Sequence, residues 1–146
     1  MKKSEDQQMS AMDQKIYESI VAELMNFAQK WNDLYADCAF EEMKSLATED
    51  VAIANVSAST SITGLIYGRQ AYYDGIYGAY VGASGKEQNL LVMKYEDWEY
   101  IPLGDENHFY TIGKYTLEPD VVGVNCWLLK RASADHPWRI YRVINN

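Results

Sequence analysis

The sequence has only two cysteines, Cys38 and Cys126, in 146 residues. They form no CxxC pair, and two thiols are too few for a disulfide framework, so reduced thiols in a reducing compartment are expected. No run approaches the roughly 18 consecutive apolar residues of a membrane span. The N-terminal stretch MKKSEDQQMSAMDQK starts basic but lacks the apolar segment of a secretion signal. These features together predict a cytoplasmic location. Basic residues are in deficit: 13 Lys and Arg against 21 Asp and Glu, for a net charge of −8. Without a basic stripe, nucleic acid and anionic membranes are not expected partners.

Metal and nucleophile motifs are lacking too. The two histidines, His108 and His136, stand in no HxH, HExxH or clustered Cys/His spacing, so neither a metal nor a bound cofactor is expected. The serines between 57 and 61 have no GxSxG elbow. The run GASGK at 82–86 follows a helical stretch and lacks the spacing of a phosphate loop. No internal repeat, low-complexity tract or interdomain linker interrupts the chain, which predicts one domain over 13–146 after a frayed segment at 1–12.

What is present is periodic and aromatic, with 12 tyrosines and four tryptophans. Ile16, Ile20, Leu24, Phe27, Trp31 and Leu34 fall within an arc of roughly 80° at about 100° per residue. Tyr17, Val21, Ala28 and Tyr35 widen that stripe, so 13–37 reads as a long amphipathic helix with Asp13 as its N-cap. A short helix at 40–47 follows, with Phe40, Met43, Leu46 and Ala47 on one face. Residues 50–56 read as a strand, 57–63 as a loop, and 70–81 as a third helix despite Gly75 and Gly78. The rest alternates as strands: 88–102, then HFYTIGKYTLEP at 108–119, VVGVNCWLLKRAS at 121–133 and WRIYRVIN at 138–145.

Segregated helices followed by an antiparallel meander point to the α+β class. The order and several phrases resemble the nuclear transport factor 2-like superfamily, which includes ketosteroid isomerase and the SnoaL-like cyclases. Those phrases are FEEMKSLATEDV at 40–51, IYGRQA at 66–71, GKYTL at 113–117 and WRI at 138–140. The resemblance implies a cystatin-like cone: a curved antiparallel sheet wrapped around three N-terminal helices, with a pocket at its open end. It also implies a homodimer through the outer sheet face. By spacing, the isomerase base falls near Asn55, its tyrosine near Trp31 and its second carboxyl near Cys126 or Trp127. None of these supplies that chemistry, so steroid isomerisation is not expected.

The candidates for chemistry follow. His108 is the candidate base, histidine being the side chain best suited to acid–base work at neutral pH; the alternative is a solvated residue at a strand start beside Asp105-Glu106-Asn107. Tyr35 and Asp37 lie at the end of the first helix, which in the superfamily approaches the pocket. Trp31, Tyr67, Tyr80, Tyr110, Tyr115 and Trp127 are expected to line a pocket for a small hydrophobic or aromatic ligand, each with plain core as its alternative. Asn55 and Asn125 sit on strands, where Asn is disfavoured, and a ligand could satisfy their amides. His136, in a turn, reads as surface. Two functions are open: a small-molecule site, binding or cofactor-independent lyase, isomerase or cyclase, and a non-catalytic binding or dimerisation module with a filled pocket.

Overall fold

A computed structural model describes residues 12–55, 65–71, 74, 93–117 and 121–145. Helix α1 (Gln14–Ala36) starts where the sequence predicts. Asp13 Oδ1 accepts the Lys15 N–H at 2.7 Å and so satisfies one of the donors a helix start leaves over. The buried ridge is Ile20, Leu24, Ala28, Trp31 and Tyr35. Ile16, on the predicted stripe, lies 41% exposed.

The helix ends in a Schellman turn. The Cys38 N–H donates to the Tyr35 carbonyl at 3.1 Å and the Ala39 N–H to the Leu34 carbonyl at 2.8 Å. Cys38 takes a left-handed backbone, φ 57, a position that glycine usually fills. Helix α2 (Phe40–Met43) runs into a 3₁₀ turn (Lys44–Leu46) and buries Phe40, Met43 and Leu46. Strand β1 (Ala47–Asn55) then begins earlier than expected, so the acidic pair Glu49–Asp50 stands inside the strand rather than before it.

The other strands are β2 (Leu65–Tyr67), β3 (Met93–Pro102), β4 (His108–Leu117), β5 (Val121–Lys130) and β6 (Arg139–Asn145). They form one six-stranded sheet in the order β2-β1-β6-β5-β4-β3. Neighbours are antiparallel except β1 and β6, which run parallel. The purely antiparallel sheet expected from sequence fails only at this pair. No hairpin joins these two strands, so no turn dictates their direction. Register shifts at Glu96/Glu99, Leu128/Leu129 and Ala47/Ala52 bend the strands and deepen the twist. The expected third helix is described only at 69–71 and 74. Among the described residues, no helix is long and apolar enough to cross a membrane.

Helix α1 covers the face carrying Phe109, Leu129 and Ile140, each 0% exposed, with Trp127 and Val143. Each such side chain contributes about 1.5–3 kcal/mol by leaving water. One charged side chain joins this core. The Arg131 guanidinium donates to Glu23 Oε2 at 3.1 Å, Asn107 Oδ1 at 3.1 Å and the Glu106 carbonyl at 3.0 Å. It also lies 4.5 Å from the Trp138 ring centroid, and Trp138 Nε1 donates to the same Glu23 oxygen at 2.9 Å.

The Gly-Arg pair before the third helix ties β2 to β1. Gly68, at φ 99, donates its N–H to the Val51 carbonyl at 2.7 Å. Arg69 grips the Ala47 carbonyl through Nε at 3.1 Å and Nη2 at 2.7 Å. A Cβ at Gly68 would touch nothing within 4 Å, so the cost of replacing it is backbone strain alone. In urea unfolding we expect Cys38→Gly to raise stability by up to about 1 kcal/mol and Gly68→Ala to lower it by about 1–2 kcal/mol. The same sign for both would contradict the positive-φ assignments.

Candidate functional site on the inner face of the sheet

Strand alternation sorts β4 into two sets, and burial decides between them. Phe109 and Thr111, 0% and 2% exposed, face the core, and Gly113 is buried with them. His108, Tyr110 and Ile112 therefore take the outer face. On β5 the inward residues are Gly123, Asn125, Trp127 and Leu129, all buried.

The last turns of α1 meet this face through an aromatic layer. Trp31 stacks on Tyr35, with centroids 5.4 Å apart and planes 11° apart. Trp31 approaches Trp127 at 5.5 Å, and Phe27 meets Trp127 edge-on at 5.8 Å. Tyr35 is backed by Phe40 at 6.1 Å. Offset and edge contacts of this kind add roughly 0.5–1.5 kcal/mol per pair beyond burial.

Past that layer the wall changes character. Gly113 pairs with Asn125, and Gly123 pairs with Tyr115. Glycines leave the wall without side chains where the Trp127 rung had filled it. The register also sets three asparagines in one row across three strands: Asn55 opposite Asn145, and Asn145 opposite Asn125. Asn125 is 4% exposed. One rung down, Thr111 pairs with Trp127, and among the described residues its buried Oγ1 has no hydrogen-bond partner. Buried hydroxyls are almost always satisfied, by protein, water or ligand.

No protein-family model and no curated protein matches the sequence. Solved structures do match the fold. An NTF2-like protein with a cystatin-like fold from Novosphingobium aromaticivorans superposes with TM-score 0.69 at 18% identity, covering 88% of this chain and 82% of its own. A provisionally named scytalone dehydratase from the same organism gives 0.58 at 12% identity, covering 90% and 86%. The yeast Ubp3-associated protein Bre5 gives 0.63 at 11% identity, covering 85% and 92%. The chain has the NTF2-like fold.

Within this NTF2-like fold, four of the candidate residues come together: Trp31, Tyr35 and Trp127 in the layer, and Asn125 beyond it. Asn55 joins them by register on β1, and Tyr115 takes the rung opposite Gly123. Asn145 is the site position that sequence reasoning missed. It is the last residue but one, and only strand pairing sets it between two flagged asparagines.

Other candidates stand elsewhere. His108 is at the outer face: its Nδ1 lies 2.9 Å from Asp105 Oδ1, with the two side chains 41% and 55% exposed. The hydrogen bond from His108 holds the Asp105 carboxyl below the usual range. That position does not suit the base expected from sequence, because β4 turns Phe109, not its neighbour, toward the helix. Tyr110 shares the outer face, half-buried. Tyr67 is 65% exposed on β2, at the sheet's edge. Asp37 is exposed just past the helix end, and Tyr80 lies outside the described residues.

Tyr100, the β3 partner of Thr111, packs against the core, and burial pushes its hydroxyl up to about 12. Its folded value thus exceeds the unfolded one, near 10. The stability tied to its neutral form is complete below pH 10 and is lost as pH rises toward 12. Absorbance titration should show this tyrosine ionising last, together with unfolding. Ionisation of all tyrosines near pH 10 in a still-folded chain would contradict the burial.

Proposed function

We propose that the chain binds a neutral small molecule, aromatic or hydrophobic with hydrogen-bonding groups, on the inner face of its sheet. The row Asn55–Asn145–Asn125, set beside two inner-face glycines and capped by the tryptophan layer, carries this reading. The aromatic rings supply the apolar contact. The Asn125 amide and the Thr111 hydroxyl, both buried, supply orientation, the combination that small-molecule sites use. Trp31, Tyr35, Trp127 and Asn125 are assigned as ligand contacts.

Thr111, Asn125 and Arg131 are the buried polar side chains among the described residues, and none is a base at neutral pH. Chemistry at this wall would polarise a carbonyl or hydroxyl through an amide N–H rather than abstract a proton. The likeness to the provisionally named dehydratase fits a lyase, isomerase or cyclase working in this way. A cytoplasmic setting fits the two free thiols.

A titration with neutral aromatic ketones and phenols tests this, read by tryptophan emission. Binding should quench Trp31 and Trp127, and Asn125→Leu should weaken it about tenfold or more, the worth of one buried hydrogen bond. If no compound changes the emission, and native mass spectrometry of protein from its own host shows no retained small mass, the reading fails.

A second reading, an association module, has its own observation. The outer face carries Ile144 at 54% exposure and Val124 at 45%, with Tyr110, Ile112, Cys126 and Leu128 half-buried around them. Contiguous exposed apolar surface of this kind marks an interaction site. A second copy of this chain is the occupant we assign, forming a homodimer through the outer face. Sedimentation equilibrium should give a dimer for the parent and a monomer for Ile144→Lys/Val124→Lys. A parent that stays monomeric at high concentration would remove the assignment.

A further inference from the structure

Four of the chain's 13 Lys and Arg residues stand at the β5–β6 hairpin. Three of the chain's four arginines, Arg131, Arg139 and Arg142, lie there with Lys130 and His136. Lys130 and Arg139 are direct partners across β5 and β6, and His108 is the partner of Lys130 on β4. Like charges directly opposed destabilise a sheet. Among the described residues, neither Lys130 nor Arg139 belongs to an ion pair. Lys130 instead rests its Nζ 5.0 Å from the Tyr141 ring centroid. Asp50, exposed on β1, is held below the usual carboxylate range first by a hydrogen bond from the Thr48 side chain and then by the charges of Lys130 and Arg142.

Beside this pair is a cleft of about 310 Å³, lined by Thr48, Lys130, Arg131, His136, Pro137 and Arg139. Among the described residues, no acidic side chain lines it. Its back is rigid, because the Arg131 guanidinium is locked by Glu23, Asn107 and Glu106, whereas Arg139 is exposed. The His136 Nδ1 is engaged by the Ser133 hydroxyl at 2.7 Å, which leaves Nε2 for another partner. The volume is at the small end of ligand sites, about 300–1,000 Å³. A concave site of that size suits a small molecule better than a polymer or a flat membrane.

We propose that this cleft binds the phosphate group of a small phosphorylated molecule, with Lys130 and Arg139 as its charge partners. A dianion between them converts a like-charge opposition into two charge-assisted contacts, and the guanidinium of Arg139 can hold two phosphate oxygens at once. The site lies at the Lys130 end of β5, five residues along the strand from Asn125, and does not depend on the inner-face reading.

The test is an amide NMR titration of the full chain with inorganic phosphate and with phenyl phosphate, against sodium chloride at matched ionic strength. Saturable shifts are expected at Thr48, Lys130, His136 and Arg139, with phenyl phosphate the tighter ligand. Lys130→Gln and Arg139→Gln should each weaken binding about tenfold or more. Arg139→Gln should melt no lower than the parent, because it relieves the opposed charges. Shifts reproduced by sodium chloride, or binding unchanged in both variants, would overturn the proposal. So would binding to phosphatidate vesicles without any response to the soluble phosphates.

Discussion

Arg131 carries a permanent charge into the interior, its side chain 4% exposed, and the rest of the fold is arranged to satisfy it. Its partners come from α1, from the β3–β4 turn and, through Trp138, from the approach to β6. A buried guanidinium without partners would cost several kcal/mol. Helix and sheet are therefore held in one alignment at this point. Eight residues further along α1, about 12 Å at the helical rise, that alignment delivers Trp31 to Trp127. The hydrophobic ridge supplies most of the stabilisation, but apolar contact tolerates sliding, whereas hydrogen bonds to a fixed fork do not.

From that anchor the inner face reads as a gradient. Next to Arg131 stand Leu129 and Phe109, fully buried. Then comes the tryptophan–tyrosine layer, and then asparagine and glycine. An asparagine buried in ordinary core is costly; here the register brings positions 55, 145 and 125 into one row across β1, β6 and β5. The outer face follows a different logic, apolar near Ile144 and Val124 and cationic where Lys130 meets Arg139. One twisted sheet thus presents three chemically separate surfaces, and the inner one is shaped by contacts that the outer two do not share.

Much of the local structure was legible in the chain. The helical stripe, the Asp13 cap and the strands within 108–145 follow from covalent periodicity and capping chemistry. These are set within a few residues of each other. Trp31, Tyr35, Trp127 and Asn125 were recognisable as candidates because aromatic residues on a stripe, and Asn on a strand, are conspicuous. The start of β1 was not legible, because Ala47 continues the apolar face of Phe40, Met43 and Leu46 and so reads as the last residue of the short helix, although it opens the strand.

The identity of the inward face was not written in the chain, since both faces of β4 and β5 carry apolar residues. Only packing against α1 chose Phe109 over His108, and that choice moved the one histidine expected to act as a base into a solvated pair with Asp105. The parallel pairing of β1 with β6, and the row it builds from residues 55, 125 and 145, likewise arise only on folding. The sequence by itself determined which segments are helix and strand and which residues are unusual. Tertiary structure decided which of them meet, because face and register depend on burial against elements far away in the chain, and no local periodicity encodes that.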